Sequence, residues 1–280
     1  MVLPELPARP TLRPGLHVVR RDDSTLQIGL DPPARVLAPD TVGVRRLLGD
    51  LASARPPDDL SSEAAACLIE LVAADLVVSA DRRTALAAQF GPGAEQRLQA
   101  RAGASAAVHG PEPLRDRAGR ALSDAGVSPP DGPEPPTVWL VLSEGEPLRG
   151  ALDDLVREGA PHLLVTSRAG RLETGPFVMP GRTACLRCVD AHRAEPDPRR
   201  HLVVEQVARA VAAGAVEPRD DLLWSLALSW AVRDLLRFLE GDRPSTWSTS
   251  FEIGPTDAPL TREWTRHPHC GCAWDALISY

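Results

Sequence analysis

The chain has 280 residues, 43% of them hydrophobic, so it can bury one large core or two smaller ones, and we expect two domains. Its net charge of -7, with no basic stripe interleaved with aromatic residues, argues against nucleic-acid binding. All 31 basic residues are arginine, so the chain supplies neither a Walker-type phosphate-binding lysine nor a Schiff-base lysine, which excludes two large enzyme classes.

The first 80 residues carry the pattern of a small mixed module. Three short apolar runs separated by the turn signals DDS and DPP predict a three-stranded meander at 16–19, 26–30 and 34–37. Two helices follow, one capped by Asp40 and one capped by Ser61 or Ser62. Apolar residues recur at helical spacing along the second helix at Ala65, Leu68, Ile69 and Val72. This order of elements is typical of a winged-helix-like module.

Residues 81–136 are rich in Ala, Gly, Pro and Arg and end in a Pro-rich linker, SPPDGPEPP. Within them, AAVHGPEPLRDRAGRALSDAGV has the strand–turn–helix outline of a Rossmann phosphate loop. Of the glycines in GxGxxG it keeps only Gly110, and Glu112 and Arg115 occupy the other two positions. A glutamate there adds bulk and the wrong charge beside a pyrophosphate, so we expect a degenerate site without bound nucleotide.

Residues 137–280 alternate between strand and helix. A strand at 137–142, a helix at 147–158 and a strand at 162–166 predict a parallel βαβ unit, followed by a hairpin. Further helices are predicted at 201–213 and 219–240, and strand-like pieces at 247–253 and 260–264. Residues 222–232 are apolar nearly all round, which is typical of a deep core helix or an oligomer interface.

Two close cysteine pairs stand out, ACLRC after a Pro-Gly turn and HPHCGC near the C-terminus. Cys185, Cys188, Cys270 and Cys272 supply four soft sulfur ligands, which is what a structural Zn²⁺ ion takes in tetrahedral array. A thioredoxin-like redox CxxC is the alternative, but it does not explain the second pair. His192, His267 and His269 are near enough in sequence to replace one ligand, although four thiolates already complete the coordination shell.

No catalytic residues are predicted. Neither a Ser/His/Asp series nor a pair of carboxylates stands out, and Asp153–Asp154 and Asp220–Asp221 lie at predicted helix starts, where capping explains them. Cys67 falls on the apolar face of a helix and is interpreted as a core residue. The N-terminal sequence lacks the apolar region of a signal peptide and the longest apolar run is too short to span a bilayer, so we expect a cytoplasmic protein that is not membrane-bound.

The segments GPFVMPGRTACLRCVDAHRAEPDP and HPHCGCAW resemble the ThiF/MoeB-type fold of ubiquitin-activating enzymes. Within it they resemble the branch found beside YcaO cyclodehydratases in actinobacterial clusters for thiazole/oxazole-modified peptides. The resemblance covers about 105–274 as the activating-enzyme domain and, less specifically, about 16–78 as a RiPP recognition element. It implies an α/β chain in which a winged-helix-like recognition module (1–80) precedes the degenerate Rossmann segment and linker (81–136) and a truncated ThiF-like domain with a structural zinc site (137–280).

In that family the leader peptide adds as a strand beside the third strand of the recognition element and packs against its last helix. Carried over to this sequence, the peptide-binding groove consists of Arg35, Val36, Leu37, Ala38, Ala65, Leu68, Ile69 and Val72. Arg35, Arg45 and Arg46 are candidates to steer an acidic leader, although solvated surface charge explains them as well.

Two departures from the sequence pattern of the adenylating relatives argue against adenylation as the function of this chain. The glycine loop is degraded, and too few residues separate Gly110 from the strand at Thr137 for the usual second and third βα units of the fold. The leading hypothesis is a non-catalytic partner that captures the leader of a ribosomally made precursor peptide and presents the precursor to a YcaO-type cyclodehydratase. The alternatives are a ThiF-type ATP-dependent adenylyltransferase and a zinc-stabilised scaffold or dimerisation subunit. The apolar helix at 222–232 permits a homodimer.

Overall fold

The structure is a computed structural model that describes residues 4–81, 93–215, 217–256 and 258–273. It divides into two compact units, Met1–Gln99 and Ala100–Tyr280. None of the helices in the described ranges is long and apolar enough to cross a membrane.

Residues 4–81 of the N-terminal unit contain five short strands and two helices. They are β1 (Pro10–Leu12), β2 (Val18–Arg20), β3 (Thr25–Ile28), β4 (Val36–Pro39), α1 (Val42–Ala52), α2 (Ser62–Ala73) and β5 (Val77–Ser79). The antiparallel order β2-β3-β4 confirms the predicted meander. Strands β1 and β5 form a separate antiparallel pair that periodicity did not reveal.

The core of this unit lies between the meander and its helices. The hydroxyls of Thr41 and Ser61 cap α1 and α2 by accepting the backbone N–H of Val44 and Ala64. The apolar residues inside are Ile28, Val36, Ala38, Val44, Leu47, Leu51, Cys67, Leu68 and Leu71, among others. Cys67 is therefore a core residue, as predicted, and burial raises the pKa of its thiol to about 11.

Helix α3 (Ala94–Ala102) contains the residue boundary between the two units, which falls after Gln99. The C-terminal unit is built on one mixed six-stranded sheet. Its strands are β6 (Ala106–His109), β7 (Val138–Ser143), β8 (His162–Arg168), β9 (Arg171–Val178), β10 (Thr249–Ile253) and β11 (Leu260–Glu263). The spatial order is β11-β10-β9-β8-β7-β6, with β6, β7 and β8 parallel and the other three antiparallel to their neighbours.

Helices cover both faces of this sheet. They are α4 (Glu112–Asp124), α5 (Arg149–Arg157), α6 (Leu186–Ala194), α7 (Arg200–Ala212) and α8 (Asp221–Leu239). Along β7, Leu140 and Leu142 pack with α4 and α8 on one face, whereas Val141 packs with α5 and α6 on the other. The predicted parallel βαβ unit, β7–α5–β8, is confirmed. A single helix, α4, connects β6 to the adjacent parallel β7, so no further βα unit lies between them.

Helix α8 is half core and half surface. Trp224, Ala231 and Leu235 are almost completely buried against the sheet. Leu222 and Leu226, one turn apart, are 82% and 52% exposed. The all-round apolar stretch therefore supplies the core and also leaves leucines on the surface.

Candidate functional site

The two cysteine pairs come together around the start of α6. Cys185 is the N-cap residue of the helix and Cys188 lies in its first turn. The second pair comes from the chain after β11, where Cys270 precedes and Cys272 lies within a single turn of 3-10 helix, Gly271–Ala273. All four sulfur atoms lie within 4.8 Å of one another. The chain near the C-terminus is thus brought back onto the segment that follows β9.

The sulfur–sulfur distances fit one tetrahedral metal ion. The Sγ atom of Cys185 lies 3.7 Å from that of Cys188, 3.6 Å from that of Cys270 and 3.5 Å from that of Cys272. Cys188 and Cys272 are 3.3 Å apart. Zn–S bonds of about 2.3 Å in a tetrahedron place the sulfurs about 3.8 Å apart. The sulfurs of this cluster lie slightly closer together than in that geometry.

The site is largely buried. Cys185, Cys188 and Cys270 are buried together with Val178 and Ala184, whereas Cys272 is half-buried. Hydrogen bonds from the thiols of Cys185 and Cys272 hold the pKa of Cys188 well below its usual range, and the contacts of Cys185 with Cys188 and Cys272 raise the pKa of Cys185. Binding of a metal ion by all four sulfurs would require each thiol to lose its proton.

The loop between β6 and α4 has the predicted strand–turn–helix outline. Gly110 has a φ of +147°, and a Cβ atom at this position would lie 2.6 Å from the carbonyl oxygen of Leu142 in β7. Only glycine permits this close approach. The one glycine retained in the loop is therefore explained by strand packing without any nucleotide.

The cavity beside this loop is acidic. It has a volume of about 390 Å³, and Glu144 and Glu217 are among the residues that line it. Glu144 forms an ion pair with Arg219, 3.3 Å away, and the Glu217 carboxylate accepts the backbone N–H of Ala169. Within the described ranges no arginine lines the cavity, and Glu112 already places a negative charge in the first turn of α4. Phosphate groups would meet carboxylates at this end of the sheet.

The predicted peptide groove corresponds to β4 and α2, which pack directly against each other. Strand β4 lies at one edge of the three-stranded sheet, so one row of its backbone groups faces away from β3, although Pro39 supplies a C=O but no N–H. Of the eight predicted residues, the four buried ones are Val36, Ala38, Ala65 and Leu68. Arg35 and Leu37 are exposed, and Ile69 and Val72 are half-buried.

The candidate steering arginines differ in their surroundings. Arg45 lies 2.5 Å from the carboxylate of Asp40, and Arg46 lies 2.8 Å from that of Asp58. Arg35 is exposed directly before β4. The charges of Arg45 and Arg46 are therefore partly compensated within the chain.

The three histidines near the cysteines lie outside the tetracysteine cluster. His192 and His267 converge with Glu195 in a second cluster, in which the potential ligand atoms also lie within 4.8 Å of one another. Glu195 was not predicted from the sequence. The spacing of His192 and Glu195, three residues apart at the end of a helix, is the signal that points to it.

Known structures share this fold. The heterocyclase TruD matches 95% of the chain with a TM-score of 0.69 and 16% identity, and the chain spans 43% of the TruD chain. Escherichia coli MccB matches 94% of the chain with a TM-score of 0.57 and 12% identity, over 96% of its own length. MccB in complex with AMPCPP and MccA matches 94% of the chain at a TM-score of 0.60 and 12% identity, over 98% of its length.

No family model and no curated protein matches the sequence. The likeness to these structures is therefore one of fold. The chain has the ThiF/MoeB-like fold that the resemblance of its cysteine motifs predicted, and it shares this fold with TruD and MccB.

Proposed function

We propose that this chain is a non-catalytic leader-peptide-binding partner in the biosynthesis of azole-modified peptides. It captures the leader of a ribosomally made precursor and presents the precursor to a separate YcaO-type cyclodehydratase. The observation that carries the proposal is the edge of β4 beside α2, which no other strand of the described residues pairs with, in a chain that shares its fold with TruD over 95% of its length. The likeness to MccB, solved in complex with MccA, supports a peptide partner.

In this proposal residues 1–80 act as a winged-helix-like recognition element. The leader adds as a strand beside β4 and gains main-chain hydrogen bonds there. Leu37, Ile69 and Val72 contact leader side chains, because they are the groove's apolar residues that retain exposed surface. The buried members of the groove, Val36, Ala38, Ala65 and Leu68, hold β4 and α2 together from inside.

The acidic cavity supports the proposal that this chain does not bind ATP or adenylate a substrate. An adenylating enzyme must bring ATP phosphates to the end of a strand and the start of a helix. Here that place holds Glu112, Glu144 and Glu217; Arg219 pairs with Glu144, but within the described residues no lysine or arginine lines the cavity itself. We therefore assign the chemistry to the partner enzyme.

The tetracysteine cluster serves this proposal as a structural zinc site. Cys185, Cys188, Cys270 and Cys272 would hold the ion, and the ion would supply cross-linking rather than Lewis-acid chemistry because four thiolates complete its coordination shell.

The proposal also includes a homodimer through the surface of α8, since self-association would cover Leu222 and Leu226. Sedimentation of the purified chain measures that step.

The test is a fluorescence-anisotropy titration of the full chain with the labelled synthetic leader of a candidate precursor peptide. We expect saturable binding with no ATP–pyrophosphate exchange. Ile69→Asp should abolish binding because it places a charge in the apolar groove. Leu37→Asp, at a site that is 43% exposed, tests the same groove with less risk to folding.

Val42→Asp is the matched control, because Val42 is 86% exposed in the same unit and lies outside the groove. It should bind the leader as the unmodified chain does. Pyrophosphate exchange by the purified chain would favour the adenylyltransferase. Anisotropy that never saturates would favour a scaffold or dimerisation subunit without a peptide ligand.

A further inference from the structure

A second group of ligand-type side chains, partly open to solvent, lies near the tetracysteine cluster. It consists of His192 in α6, Glu195 at the end of the same helix and His267 in the segment that leads to Cys270. The nitrogen and oxygen atoms that they offer lie within 4.8 Å of one another. Two distant parts of the chain are therefore joined at this point.

The ring of His192 is held in one tautomer. Its Nε2 atom lies 3.0 Å from the backbone carbonyl oxygen of Thr265, and a carbonyl can only accept, so Nε2 carries a proton. Its other ring nitrogen, Nδ1, lies 3.5 Å from Oε1 of Glu195. Metal-binding histidines typically donate one ring N–H to a carbonyl oxygen and direct the other ring nitrogen at the metal. The His192 ring has this arrangement.

His267 approaches the same carboxylate oxygen. Its Nε2 atom lies 3.3 Å from Oε1 of Glu195, and its ring meets the ring of His192 edge-on with centroids 4.7 Å apart. The backbone N–H of His269 donates to Nδ1 of His267 over 3.2 Å. Binding of a cation at Nε2 would move the ring proton to Nδ1 and give up this long hydrogen bond.

We propose that His192, Glu195 and His267 form a second site for a divalent transition-metal ion, distinct from the tetracysteine cluster. Two imidazoles and one carboxylate are the ligand set that Zn²⁺ accepts while keeping a position open. The Glu195 side chain is 64% exposed, so solvent reaches that position. Imidazole ligands favour zinc and its neighbours in the transition series over Mg²⁺ and Ca²⁺.

The second ion would reinforce the first. The carbonyl of His267 accepts the backbone N–H of Cys270 at 2.9 Å, and the backbone of His267 hydrogen-bonds the sulfur of Cys188. A metal that fixes the His267 ring to α6 therefore fixes the segment that carries the C-terminal sulfur ligands. Occupancy of the second site should slow the loss of metal from the first.

The test is a metal titration of the full, untagged chain with Zn²⁺ and with Co²⁺ at free concentrations of about 1 µM. We expect two equivalents per chain. The Co²⁺ spectrum should combine intense thiolate charge-transfer bands with the weaker bands of a nitrogen–oxygen site. His192→Ala and Glu195→Gln should each remove one equivalent and leave the thiolate bands unchanged. Loss of a direct ligand should cost more than the roughly 10–100-fold in affinity that loss of an outer-shell partner costs.

His201→Ala is the matched control, because His201 is exposed in α7 and should leave both equivalents in place. Cys188→Ser should remove the thiolate bands and retain the nitrogen–oxygen bands, which separates the two sites. A single equivalent in the unmodified chain, or two equivalents in His192→Ala, would overturn the proposal.

Discussion

Replacing Cys188 by serine tests the structural role proposed for the metal. The Cys188 side chain is fully buried, and its sulfur lies 3.3 Å from that of Cys272 and 3.7 Å from that of Cys185. Serine is slightly smaller than cysteine and removes one of the four sulfur ligands, leaving three thiols at the site. Metal binding in small zinc domains contributes about 10–16 kcal/mol, which equals or exceeds the roughly 5–15 kcal/mol stability of a whole domain.

The magnitude follows from linkage. A metal present at about 1,000 times its dissociation constant stabilises the folded chain by about 4 kcal/mol. For a unit of this size, each kcal/mol shifts Tm by about 2–4 °C, so Cys188→Ser should lower the Tm of the C-terminal unit by about 8–16 °C. Elemental analysis should show the loss of one metal ion per chain, and calorimetry measures the shift in Tm.

Cys67→Ser is the control. Cys67 is also a buried cysteine, but it lies in the core of the N-terminal unit and belongs to no metal-type cluster among the described residues. It should leave the metal content unchanged. Freshly purified chain without metal, or equal metal content and equal Tm in Cys188→Ser and the unmodified chain, would show that the four cysteines do not hold a structural metal ion.

Three further predictions concern the C-terminal unit. Gly110→Ala should lower the free energy of unfolding by about 2 kcal/mol or more, because its Cβ would lie 2.6 Å from the carbonyl oxygen of Leu142. Gly119→Ala, in the helix that follows and with no atom within 4 Å of the new Cβ, should raise it by about 0.5–1 kcal/mol, and denaturant unfolding of both variants checks the contrast. Burial lowers the pKa of His162 below its ordinary 6.5. The stability that the neutral ring contributes is therefore complete above pH 6.5, and as the pH falls below 6.5 the free energy of unfolding decreases by at most about 1.4 kcal/mol per pH unit. His162→Asn, which keeps a hydrogen-bond donor but does not titrate, should flatten the pH dependence of unfolding. Asp234→Ala should cost about 3 kcal/mol or more in the same assay, because its buried carboxylate accepts both backbone N–H groups and both hydroxyls of residues 245 and 246.

Local patterns predicted most of the fold. The meander, the capping serine Ser61 and the β7–α5–β8 unit each depend on residues close together in sequence, and each is found as expected. The cap of α1 was wrong by one residue. Asp40 and Thr41 both suit a cap, but the Thr41 hydroxyl accepts the N–H of Val44, and Asp40 pairs with Arg45.

The tetracysteine cluster was predictable because its chemistry is encoded in spacing. Two close pairs of soft ligands have few uses in a chain without disulfides, and the structure brings all four sulfurs together. The identity of the metal stays a proposal. Glu195 escaped prediction because its role depends on His267, which lies far along the chain.

Long-range charge pairing and very short strands were not predictable. Arg149 is 4% exposed and binds Asp190 in α6, a pairing that no periodicity indicates because the two residues come from different elements. Strands β1 and β5 contain three residues each, which is too short for an alternating pattern to be recognised. In each case the fold, rather than the local sequence, selects the partner.

The proposed function requires a leader peptide to bind at the edge of β4. Hydrogen–deuterium exchange of the full chain, measured with and without a saturating synthetic leader, locates the bound peptide. We predict slower exchange of the backbone amides of residues 36–38 and along α2, with no change at 18–20 on the opposite edge of the sheet; Pro39 has no amide hydrogen to exchange. Protection confined to 18–20 or to the loop at 109–112, or no protection at all, would show that the leader does not bind at β4.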